Sequence, residues 1–150
     1  MPQGMEDNVY AVIDTNVIVS ALISRHPEAA PFNVLAHVFA GVITPLYNED
    51  IITEYREVLS REKFHLNPQD VESALTVILA FGLNLERTAA NDETFIDPKD
   101  IVFYEVTMSK EDAYLVTGNT KHYPKKPFVV TPRKMLEIIS QRHTETESGV

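Results

Sequence analysis

Five short apolar runs alternate with segments of helical periodicity along the chain, and this alternation limits its fold more than any other feature. The runs lie at 9–13, 42–46, 83–86, 113–118 and 128–131. They lack clean apolar–polar alternation, so they read as strands buried on both faces. Strands of that kind separated by helices define an α/β protein with a central, mainly parallel sheet. The helices have local punctuation. Asn16 is placed to cap a helix over 17–24, and Gly41 closes a second over 32–40. Asn48 opens a third, "NEDIITEYREVLS". Asn67 and Pro68 cap and start a fourth over 68–81, stopped by Gly82. "PKDIVFYEVTMS" reads as a fifth, and "PRKMLEIIS" as a closing helix with Pro132 in its first turn. Residues 88–97 form a polar loop, and 143–150 an expected disordered tail. With no repeat, linker or low-complexity segment, 1–142 is expected to be a single domain.

Apolar residues make up 44% of the 150, enough for a packed core. No apolar run is long enough to span a bilayer, so no membrane association is expected. The opening "MPQGMEDN" lacks the basic and apolar regions of a signal peptide, which gives a cytoplasmic expectation. Absence of cysteine excludes disulfides and thiolate metal sites. The net charge of −9 argues at first against a nucleic-acid partner, but the charge is uneven. Residues 1–120 carry net −12, whereas 121–142 hold six Lys/Arg against Glu137 alone, net +5. That segment, with Lys121, Lys125 and Lys126, reads either as a solvated rim or as an anion-facing rim beside an acidic centre.

The acids have a pattern of their own. Ligands bind open parallel sheets outside the carboxyl ends of the strands. Asp14 directly follows the first run and Asn119 follows "AYLVTG", which puts both on that edge. Each also suits an ordinary turn or cap. Glu54 lies three residues after Ile51 and four before Val58, on the apolar stripe formed with Tyr55 and Leu59. A buried carboxylate must be paired or bind a cation, and Arg61 is the candidate pairing partner. Asp97 and Asp100 frame "DPKD", where an N-cap followed by a capping-box acid accounts for both without an active site. Taken together, Asp14, Glu54, Asp97 or Asp100, and Asn119 come from four separate elements. An oxygen-only set suits a hard cation, Mg2+ or Mn2+. Carboxylates beside a basic rim suit metal-assisted phosphodiester hydrolysis.

The pieces "VIDTNVIVSAL", "EYREVL", "DPKDIVFYEV", "DAYLVTGNTKHYP" and "FVVTPRKML" resemble a PIN domain in content and order, over most of residues 9–137. The resemblance implies a three-layer α/β/α fold and a Mg2+- or Mn2+-dependent nuclease. Within that family it is nearest to small toxins of toxin–antitoxin pairs that cleave RNA. It assigns Asp14, Glu54 and Asp100 as catalytic metal-binding acids, with Asp97 as alternative or helper and Asn119 where many members carry a fourth acid. Thr15, Asn16 and Thr117 become hydrogen-bond donors to those ligands. An RNA substrate, an antitoxin protein and a homodimer follow as expected partners. Competing readings are a PIN-type nuclease for DNA or RNA processing, and a catalytically silent binding module. A haloacid-dehalogenase-type phosphatase is disfavoured, because it needs an Asp where Asn16 stands.

Overall fold

The computed structural model describes residues 8–91 and 93–148. The elements in chain order are β1 Val9–Ile13, α1 Thr15–Ser24, α2 Ala30–Phe39, β2 Ile43–Tyr47, α3 Glu49–Leu59, α4 Pro68–Phe81, β3 Leu83–Asn84, α5 Ile101–Met108, β4 Tyr114–Val116, β5 Val129–Val130 and α6 Pro132–Ser148. Short 3-10 turns sit at Glu62–Phe64, Pro98–Asp100 and Thr120–His122. All five strands are parallel, in the order β3-β2-β1-β4-β5. With six helices in the described residues, this is the α/β/α arrangement expected of a PIN-like chain.

β1 is the central strand. Val9, Ala11, Val12 and Ile13 are all essentially inaccessible, as strands covered on both faces require. α5 lies against β1, β2 and β4, and α2 packs on α1 and α6. α5 is buried nearly all round, from Val102 to Thr107, so it is a core helix and not an amphipathic surface one. The strand order steps outward from β1 to β2 and β3, then returns to add β4 and β5 on the other side. The carboxyl ends of β1 and β4 therefore flank a topological switch point, where a parallel sheet opens a crevice.

Local signals hold where the structure is local. Asn48 accepts a hydrogen bond from Ile51 N at 2.9 Å, and Asn67 from Gln69 N at 2.8 Å. Gly41 ends α2 with φ +81°. Two expectations change, at Asn16 and at the end of the closing helix. Asn16 is not a cap: α1 begins at Thr15, and the Asn16 side chain instead accepts from Gly118 N, at 3.3 Å, beyond β4. Gly82 does stop α4, with extended backbone; a Cβ there would lie 2.5 Å from the Pro45 carbonyl oxygen, so close approach to β2 requires the glycine. The closing helix runs to Ser148, past the Ser140 end of the "PRKMLEIIS" reading, with no Pro or Gly before Gly149. Gly149 and Val150 lie outside the described residues.

Candidate metal centre

Asp14 sits at the N-cap position of α1, at the carboxyl end of the central strand, and is 7% exposed. Its side chain forms no closed cap bond. Instead Asp14 Oδ2 accepts from Thr117 Oγ1 at 2.7 Å and from Tyr123 Oη at 3.1 Å. Burial pushes the Asp14 carboxyl above its ordinary value; the two hydroxyls, and the N–H groups of Asn16 and Thr15 at the helix start, pull it back. Thr117 follows β4 and is fully buried, and its N–H donates to Val130 O at 2.9 Å. Two neighbouring parallel strands thus bring acid and hydroxyl to one edge.

Glu54 is delivered by α3. Tyr55, fully buried, donates its hydroxyl to Ile13 O at 2.5 Å and so ties that helix to the end of β1. Glu54, half-buried on the same face, accepts from Thr15 Oγ1 at 2.5 Å. Arg61 is not its partner; Arg61 pairs with Glu57 at 2.8 Å, one helical turn back. Burial raises the Glu54 carboxyl, the Thr15 hydroxyl opposes this, and the charge of Asp14 raises it further.

The Asp97–Asp100 pair divides its labour. Asp97 is exposed and accepts from Lys99 N at 2.9 Å, which makes it the cap of the Pro98–Asp100 turn. Asp100 turns inward. Its Oδ2 is buried and has no hydrogen-bond partner, the single such side-chain atom among the described residues. Burial first, then the charges of Asp14 and Asp97, push the Asp100 carboxyl up to about 6, with His122 opposing and Glu54 adding to the rise. His122 Nδ1 lies 3.7 Å from Asp100 Oδ2, and its Nε2 is 3.1 Å from Asn119 Nδ2. Asn119 itself is exposed, with its N–H on Thr117 Oγ1 at 3.0 Å.

The centre therefore brings Asp14, Glu54 and Asp100 within each other's field, while Asp97 is turned to capping and Asn119 stands at the rim. No group of three or more His, Asp or Glu among the described residues is already arranged to hold a metal ion. The donor set nonetheless fits a hard cation of the Mg2+ type, which keeps several waters and takes only one or two carboxylates directly. A buried carboxylate oxygen without a hydrogen-bond partner carries the charge such a cation would neutralise. Asp14, Glu54 and Asp100 are the residues that would hold it.

Of the basic segment, Lys121 and Lys125 are exposed and enter no ion pair among the described residues. Lys126 differs: its Nζ is 3.1 Å from Glu93 Oε1. Sequence reading missed two groups. Tyr123 is signalled only by a hydroxyl-bearing aromatic in "KHYP". Lys99, whose charge stabilises ionised Glu54, has no sequence signal beyond its place between Asp97 and Asp100.

No curated protein and no solved structure matches the chain. The PIN domain family does, over residues 10–121, a span that contains Asp14, Glu54, Asp100 and Asn119. PIN domains are generally nucleases that use divalent metal ions. With more than half of the chain matched and a parallel sheet gathering the acids at one edge, this chain belongs to the PIN domain family.

Proposed function

We propose that this chain is a Mg2+- or Mn2+-dependent endoribonuclease, acting in the cytoplasm as the toxin of a toxin–antitoxin pair. The observation that carries the metal-dependent reading is Asp100 Oδ2, buried without a hydrogen-bond partner, its carboxyl pushed up first by burial and then by the charges of Asp14, Asp97 and Glu54. Mutual repulsion of that kind is relieved by a cation.

A bound divalent ion supplies charge neutralisation at the phosphate and activation of a water. The protein's own residues do the rest. Thr117 and Tyr123 orient Asp14, Thr15 orients Glu54, and the Asp97 cap fixes the turn that aims Asp100 inward. Lys99, Lys121 and Lys125 supply positive charge at the rim, where a nucleic-acid backbone is attracted. Asn119, neutral, contributes no further anionic ligand.

The toxin assignment rests on the resemblance of the sequence motifs. It agrees with large apolar side chains left exposed on the helices, Ile23, Phe39, Leu79 and Phe81, which an antitoxin or a second copy would cover. The test of the whole reading is cleavage of single-stranded RNA by purified protein with Mn2+ or with EDTA, beside Asp14→Asn. Cleavage should require metal and fall by more than about a hundredfold in the variant. Cleavage that persists in both EDTA and Asp14→Asn refutes it, and cutting of DNA alone refutes the RNA part. Co-expression of a small adjacent reading frame should suppress growth arrest by the chain.

A further inference from the structure

Thr117 and Tyr123 place their hydroxyl hydrogens on the same atom, Asp14 Oδ2. A carboxylate has about four lone-pair sites, two on each oxygen. Both sites on Oδ2 are thereby committed. Neither donor is free to leave. Thr117 is 0% exposed and Tyr123 5%, so withdrawing either one opens the core. The Tyr123 ring stands edge-on to Phe95 with centroids 6.5 Å apart, and its N–H donates to Thr120 O at 3.2 Å.

An incoming cation would consequently meet Asp14 through Oδ1, the oxygen that neither hydroxyl occupies. That constraint discriminates between ions. Mg2+ demands near-ideal octahedral geometry, with short bonds to one oxygen of each carboxylate; Ca2+ takes six to eight ligands and readily accepts both oxygens of one carboxylate. We infer that Thr117 and Tyr123 make Asp14 a one-oxygen ligand and so bias this centre toward small octahedral cations and against Ca2+. The inference rests on the metal-dependent reading above. Tyr123 is here a positioning residue: it touches Asp14 and acts through it.

The experiment follows the melting of the full chain, stripped with EDTA and titrated with MnCl2 or CaCl2. An ion that binds only the folded state raises the melting temperature by mass action, so binding is read without activity. Wild type should be stabilised by Mn2+ at much lower concentration than by Ca2+. In Tyr123→Phe the ring stays and the donor goes. Oδ2 becomes available, and the gap between the two half-stabilising concentrations should narrow by about tenfold. Thr117→Val removes the other donor and should narrow it likewise, whereas Thr117→Ser keeps the hydroxyl and the wild-type gap. A merely packing role for Tyr123 would lower the metal-free melting temperature and leave the gap alone. An unchanged gap in both Tyr123→Phe and Thr117→Val overturns the inference while leaving the metal centre standing. Thr117→Val decides if Tyr123→Phe does not fold. If neither ion stabilises wild type, the metal-dependent reading falls, and this inference with it.

Discussion

Among the described residues, carboxylates are buried in two places and treated in opposite ways. Glu105, on α5, is 9% exposed, and the fold closes around it: Arg87 Nε donates at 2.8 Å, Arg87 Nη2 lies at 2.7 Å, and Ala90 N donates at 2.7 Å. Asp14, Glu54 and Asp100 receive hydroxyl or backbone donors or none, and none of the three has a Lys or Arg in ion-pair contact among the described residues. Burial alone therefore does not mark a site. What sets the three acids apart from Glu105 is that no Lys or Arg pairs with them among the described residues. Glu105 serves structure. It holds the start of the 88–97 loop against α5, helped by Thr88 N on Glu105 O at 3.1 Å, and that loop leads into the Asp97–Asp100 turn.

The contrast is sharpest in stability, and the two places should respond with opposite sign. Glu105→Ala leaves the Ala90 N–H without its acceptor and leaves Arg87 with Asp50 alone, at 3.4 Å. Because Arg87 is 40% exposed, the loss should fall below that of a fully buried pair, at roughly 2–3 kcal/mol. That corresponds to a melting temperature lowered by about 4–12 °C, and Mn2+ should not restore the lost increment. A drop of the same size that Mn2+ repairs selectively would place Glu105 in the metal centre and dissolve the comparison.

Asp100→Asn should do the reverse. In EDTA near neutral pH the wild-type carboxylate is ionised against Asp14, Asp97 and Glu54. Removing that charge should raise stability by about 1 kcal/mol, or roughly 2–4 °C. The pH dependence fixes the sign. A carboxyl raised to about 6 when folded binds more protons folded than unfolded. Its stabilising contribution is complete below the unfolded value and is lost as pH climbs through the folded one. Melting curves of wild type and Asp100→Asn should therefore converge near pH 4 and separate by pH 7, with the variant the more stable. The Mn2+ response of the variant should shrink. A lower melting temperature in EDTA with an intact Mn2+ response would return Asp100 to a helix-supporting acid.

What sequence could and could not reveal follows from the range of the interactions. The caps at Asn48 and Asn67 are read within two or three residues, and they hold. β1 is found at its full extent because burial on both faces leaves an uninterrupted apolar run. Glu54 is legible because a helix repeats, and its place on the Ile51–Tyr55 face is a matter of counting. Asp97 and Asp100 are not separable by spacing, since a cap and an inward-facing acid suit either position; only the fold divides them, with Asp97 on Lys99 N and Asp100 turned inward. Asn16 reads locally as a cap because its partner, Gly118, is 102 residues away. Tyr123 on Asp14, 109 residues distant, is hidden for the same reason.

The smallest effects concern the basic rim, where the same contrast between paired and unpaired charge recurs. Lys121 and Lys125 have no ion-pair partner among the described residues, whereas Lys126 faces Glu93 across 3.1 Å. A lysine whose charge is already compensated recruits few counterions from a phosphate backbone. Binding of single-stranded RNA weakens with salt by about 0.7 logarithmic units per phosphate contact. Lys121→Ala and Lys125→Ala should each flatten that slope by about one contact's worth, with little change in melting temperature. Lys126→Ala should flatten it less and show itself instead in the 88–97 loop, which loses the tether at Glu93. Measurements of affinity against salt on the three variants, made on an Asp14→Asn background so that the RNA survives, test this order. Equal slopes for all three would show that the Glu93 pair dissolves on binding. A slope untouched by any of them would place the lysines on an ordinary solvated surface, away from the path of the RNA.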